Sequence, residues 1–226
     1  MLVLILITIL LVGCRGQDRG GVNSEIAAPI LSGVLGNRSG SLEYWGKCDS
    51  NRCPDFPKAR SHDKGTGSTV RDLQEVFGDD SEMRVREEPD RTIRMVEADV
   101  PQDLLNVKIR HISFDVDYGV NHPGYGINHP SFEARMAVGT ILAAPEVKAF
   151  MKDHGIGLIS EFQIAPGYSM PSPMAPHVSG NLDGVTLSSA LDYVSRTFPG
   201  FWIYENCQST KHKRTVFSTF YPNSPG

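Results

Sequence analysis

The stretch that most constrains the fold runs from Val178 to Phe220. Thr186 precedes apolar residues at Leu187, Ala190, Leu191, Val194 and Phe198, offsets that share one face of an α-helix. Its hydroxyl is placed to accept a bond from an orphan backbone N–H, so Thr186 reads as an N-cap. Pro199-Gly200 then stops the helix, because proline disfavours helix in the residue before it and glycine tolerates left-handed geometry. Phe201-Trp202-Ile203-Tyr204 is aromatic and β-branched, which suits a strand. Glu205 to Arg214 is polar and turn-like, and Thr215 to Phe220 closes a hairpin. One amphipathic helix laid on such a hairpin buries one face of each, the minimum α+β core.

A weaker copy lies upstream. Thr69 is followed by Val70, Leu73, Val76 and Phe77, then Gly78, again a capped and terminated helix. Thr69 with Asp72 forms a loose capping box. Met83 to Arg86 alternates, Glu87 to Arg91 turns, and Thr92 to Val96 alternates again. Met83, Val85, Ile93 and Met95 then share a buried face, which leaves Arg84, Arg86 and Arg94 towards water. Setting Val70 against Leu187 brings Leu73 to Leu191 and Val76 to Val194, which makes a pseudo-repeat a candidate; ordinary helix-hairpin patterning produces the same match. The expected fold class is α+β, with small antiparallel sheets packed by amphipathic helices and two helix-hairpin units as candidate repeats.

Leu2 to Gly13 is apolar except for Thr8, too short to cross a bilayer and of the length of a secretory apolar region. Leu11-Val12-Gly13-Cys14 resembles the lipobox of bacterial lipoproteins, in which small residues precede a cysteine that is lipidated and becomes the new N-terminus. No Lys or Arg precedes the apolar run, a departure that leaves a simple signal peptide, or a different start codon, as the alternatives. The resemblance implies residues 1–13 as signal peptide, Cys14 as lipid attachment, and a membrane partner through acyl chains at ~0.8 kcal/mol per buried methylene. It also implies export to the bacterial cell envelope. Arg15 stands where Asp would signal inner-membrane retention, so the implied address is the outer membrane, facing the periplasm. Residues 14–41, rich in Gly, Ser, Asn and Arg, read as a flexible tether, with the apolar patch Ile26 to Leu35 as an edge strand or short helix.

The body divides into a first module at 42–118, a middle region at 119–177 and a second module at 178–226. Leu42 to Cys48 reads as the first strand. Cys48 and Cys53 flank Asp-Ser-Asn-Arg, all turn formers; an exporting compartment permits a disulfide there, and zinc with His62 or two free thiols are the alternatives. With Cys14 acylated and that pair bridged, Cys207 is left over, a small apolar residue beside a strand. A short helix from Val100 to Leu105 passes into a strand near Ile109 to His111. His111, Ser113 and Asp115 then share a strand face, either a solvated face or an acid–base or metal cluster. Asn-His-Pro occurs at Asn121 and again at Asn128. His122 and His129, with Asp115, are candidate ligands for zinc or copper; turn chemistry explains the same residues. Helices follow from Ser131 and from Pro145 to Gly155, then a strand from Gly157 to Ile164 and a Pro- and Met-containing linker from Ala165 to Val178.

Net charge is −4 without a basic stripe, so the electrostatic footprint of a nucleic-acid binder is missing. No Walker or dinucleotide loop, Gly-x-Ser-x-Gly elbow or His-Glu-x-x-His helix occurs. Lys211-His212-Lys213-Arg214 reads as a basic cluster solvating the last turn. Val185 to Phe220, with Leu-Ser-Ser-Ala-Leu-Asp-Tyr-Val on its helix, looks like the short N-terminal domain of secretins and TonB-dependent receptors, which mediates protein contacts; no barrel or secretin segment follows it. The expected function is a lipid-anchored envelope module that binds or assembles with an envelope protein. The alternative is a small exported metal-binding protein or metallohydrolase built on the Asn-His-Pro loop.

Overall fold

The computed structural model describes residues 24–46, 57, 68–78, 82–114, 130–159, 178, 180–208, 212 and 214–223. Among them lie helices α1 (Ser24–Leu35), α2 (Thr69–Phe77), α3 (Pro130–Leu142), α4 (Pro145–His154) and α5 (Leu187–Thr197). The strands are β1 (Gly40–Trp45), β2 (Met83–Glu87), β3 (Ile93–Glu97), β4 (Lys108–Ser113), β5 (Ile156–Ile159), β6 (Asn181–Thr186), β7 (Gly200–Cys207) and β8 (Arg214–Pro222). The fold is α+β.

Six strands form one sheet in the order β2-β3-β1-β7-β8-β5, and β4 pairs with β6 in a separate ribbon. The large sheet is mixed. The hairpins β2–β3 and β7–β8 are antiparallel, whereas β1 runs parallel to both β3 and β7, and β5 parallel to β8. Local patterning specifies the hairpins; the parallel pairs join distant segments, which no local period encodes.

Both expected helix-hairpin units form. In α5, Thr186 is the cap, its Oγ1 accepting from Ser189 N at 3.2 Å. In α2 the cap is Ser68, one residue earlier than expected, accepting from Arg71 N at 3.3 Å. The two units are not equivalent, however. β1 separates them, touching the second strand of the first hairpin and the first strand of the second. Their helices also cover opposite faces of the sheet. Leu73, Val76 and Phe77 of α2 pack with Leu42, Tyr44, Ile93, Met95, Phe201 and Ile203, on the side that α1 also covers. Leu187, Ala190, Leu191 and Val194 of α5 pack with Trp202, Tyr204, Val216 and Phe220, on the side of α3 and the β4–β6 ribbon.

A sheet covered on both faces buries alternate residues to either side, which explains why β7 is buried at every position. Fully buried Trp202, Tyr44 and Phe201 each contribute roughly 1.5–3 kcal/mol by leaving water. Helix α1 lies within the stretch expected as tether. Its Leu31 and Leu35 are buried against the sheet, so this part of the stretch belongs to the body. The Val100 to Leu105 region forms turns and leads into β4. Among the described residues, no helix is long and apolar enough to cross a membrane.

Candidate functional site

The face of the sheet under α5 carries a layer of buried polar side chains. In a half-exposed sheet they would meet water. Here α5 and the Val100–Asn106 turns lie over them, so each must find a partner inside.

At the β3 end the layer is well satisfied. Arg94 was expected to face water, but its side chain is only 14% exposed. It sits opposite Ser41 in the parallel register of β1 and β3, with α5 above. Its Nη1 donates to Glu43 Oε1 at 3.0 Å and its Nη2 to Asp192 Oδ2. Trp202 Nε1 donates to Asp192 Oδ1 at 2.8 Å, and the guanidinium lies 5.5 Å from the Trp202 ring centroid. Glu43 also accepts from Ser41 Oγ and Gln102 Nε2, both at 2.9 Å. Burial pushes the Asp192 carboxyl above its usual range, against the pull of Arg94 and the Trp202 bond. Burial alone would lower the Arg94 guanidinium, but Asp192, Glu43 and Glu88 together outweigh it and hold it above its usual value. A network this closed positions α5 on the sheet; it leaves few groups for a ligand.

At the β8 end the layer is different. Arg214, expected to solvate a turn, is 9% exposed. It lies on β8 because the strand begins there, pairing with Ile156 of β5. Its Nη1 donates to Asp103 Oδ1 at 2.7 Å, while Nε and Nη2 are buried and have no partner. On the same face, Ser218 stands opposite Tyr204, and Val216 opposite Asn206. Tyr204 Oη, both amide atoms of Asn206 and Ser218 Oγ are likewise buried without a hydrogen bond. The Asn206 amide is near enough to act on the phenol, though the two do not meet in hydrogen-bond geometry. Burial pushes the Tyr204 phenol well above its usual value, against the pull of Arg214, so it stays protonated as a donor. A buried polar group left without a partner costs about 1–3 kcal/mol. Tyr204, Asn206 and Arg214 act on one another, so these groups are open to bonds with buried water or with a ligand.

His111, on the β4–β6 ribbon, pairs through Nδ1 with Asp183 Oδ1 at 2.7 Å, and both are exposed. It thus forms an ordinary cross-strand pair. Asp115, His122 and His129, the expected metal ligands, lie outside the described residues, as do Cys14, Cys48 and Cys53. Among the described residues no group of His, Cys, Asp and Glu is placed to hold a metal ion. Cys207, expected to be left over, is disulfide-bonded.

Sequence reasoning missed Arg94, Glu43, Asp192, Tyr204, Asn206 and Arg214. One signal was present: Glu43 interrupts the apolar run Leu42-Glu43-Tyr44-Trp45, and a carboxylate within such a run needs an internal cation. Compared with known proteins, the chain matches no family model, no curated protein and no solved structure.

Proposed function

We propose that the chain is an exported bacterial envelope protein, anchored through lipid on Cys14, whose body is a binding module for an envelope partner. The observation that carries this reading is the disulfide of Cys207. Disulfides persist in oxidising compartments and are rare in the reducing cytosol, which fits the apolar leader and the lipobox-like Leu11 to Cys14. Binding as the role is supported by the helix-hairpin unit α5–β7–β8, the stretch whose sequence looks like a short domain that mediates protein contacts. Acyl chains on Cys14 would hold the body at a membrane surface, with residues 15–23 between the anchor and α1 as the tether.

The test is crosslinking in intact bacterial cells followed by fractionation. The wild-type chain is expected in the envelope fraction, joined to a protein partner, and Cys14→Ser in the soluble fraction. An unchanged distribution for Cys14→Ser, or repeated recovery of the wild-type chain without any partner, contradicts the reading.

A further inference from the structure

We propose that the Arg214 end of the polar layer is a binding site for a small organic carboxylate bearing a second polar group. This goes beyond the envelope-partner reading and stands apart from it.

The geometry of Arg214 carries the inference. Asp103 takes Nη1 and so occupies one end of the guanidinium. The remaining Nε–H and Nη2–H, both without a partner, form the side-on edge of the fork. Two parallel donors on a planar group match the two oxygens of a carboxylate. Asp103 already balances part of the Arg214 charge, so a single negative charge suits the site better than a doubly charged ion. The sheet register puts Asn206, Tyr204 and Ser218 on the face that carries Arg214, and Tyr204 is near enough to Arg214 for that charge to act on its phenol. Their buried hydroxyls and amide offer donors and acceptors to a hydroxyl or amine next to the carboxylate. Apolar Val216 and Phe220 of β8 share this face and would meet the carbon skeleton. Asp103 is 45% exposed, so the site approaches solvent at that end.

The probes are lactate, alanine and propionate, which share one carbon skeleton and differ in the group beside the carboxylate, with inorganic phosphate as the contrasting anion. Binding to the purified full chain in non-ionic detergent is followed by calorimetry and by the shift in Tm. Lactate or alanine is expected to bind at least about tenfold more tightly than propionate, and phosphate more weakly than either. Arg214→Lys keeps the charge and loses the side-on edge; it is expected to lose at least about tenfold in affinity with its circular dichroism unchanged. Ser218→Ala and Tyr204→Phe are expected to fold and to narrow the preference over propionate. They decide the matter should Arg214→Lys fail to fold. No binding of any of the organic probes, equal binding of all three, tighter binding of phosphate, or variants that bind like wild type would each overturn the proposal. So would a crystal structure of the probe-soaked chain in which only water bridges Arg214, Asn206 and Ser218. A chain that binds lactate yet lacks lipid on Cys14 would refute the anchor and leave this site standing; an acylated chain that ignores the probes would do the reverse.

Discussion

Arg94 on β3 and Asp192 on α5 are 98 residues apart in sequence and form an ion pair between sheet and helix. Glu43, on the strand between the two hairpins, joins them. One cation therefore holds together elements from both helix-hairpin units and β1. Removing one member of a buried pair leaves an uncompensated charge. Arg94→Leu is expected to lower the unfolding free energy by roughly 3–5 kcal/mol, measured by urea titration. Arg84→Leu, on the exposed neighbouring strand, should change it by less than about 0.5 kcal/mol. Equal effects of the two would show that the buried network contributes nothing special.

The Tyr204 phenol gives a pH dependence with a definite sign. Burial raises its folded-state value above the usual 10.0. Unfolded Tyr204 therefore loses its proton first, and between the two values the native state binds more protons. Stability falls as pH rises through that window. Tyr204→Phe should flatten this alkaline limb in denaturation measured above about pH 10. An alkaline limb unchanged by Tyr204→Phe would mean that the phenol titrates normally and is not enclosed.

Gly200 opens β7 where it meets the end of β8. A Cβ there would lie 2.3 Å from the backbone oxygen of Tyr221 and 2.4 Å from Phe220 Cζ. The carbonyl cannot rotate away as a flexible side chain could. Gly200→Ala is expected to cost about 1–3 kcal/mol by overpacking, with Gly33→Ala, which meets nothing within 4 Å, as the control. A melting temperature for Gly200→Ala equal to that of wild type would contradict the register of β7 on β8.

Cys207 has its disulfide partner among Cys14, Cys48 and Cys53. If Cys14 is acylated as proposed, the partner is Cys48 or Cys53, and a bridge between those two would not form; if it is not, Cys14–Cys207 beside Cys48–Cys53 is the alternative. Gly46 N donates to Asn206 O at 2.7 Å, so the chain leaves β1 beside Cys207. Cys48 follows two residues later, within about 7 Å of reach. Non-reducing tryptic mapping separates the alternatives, because Arg52 places the two cysteines on different peptides. The expected product links the Cys207 and Cys48 peptides; a Cys48–Cys53 link contradicts it.

The α5–β7–β8 unit was legible because its signals are local: the Thr186 cap, the spacing of Leu187, Leu191 and Val194, and the aromatic strand. The burial of Met83, Ile93 and Met95 followed from alternation for the same reason. Arg94 was misplaced because alternation says which side chains share a face, not what covers the other face. Its cover, α5, comes from far along the chain. Arg214 was taken for part of a basic turn because a buried and a solvated arginine look the same in a four-residue cluster. The strand that captures it, β5, pairs in parallel from a distant segment. The alternating β1 did not announce its central place either; Glu43 was the one clue.

The most direct measurement is the mass and sequence of the mature N-terminus, taken on protein purified from cell envelopes. The expected result is a chain beginning at Cys14 that carries covalent acyl mass on that residue. A chain that begins at Met1, or one cleaved elsewhere with an unmodified Cys14 thiol, would contradict the anchor on which the proposed function stands.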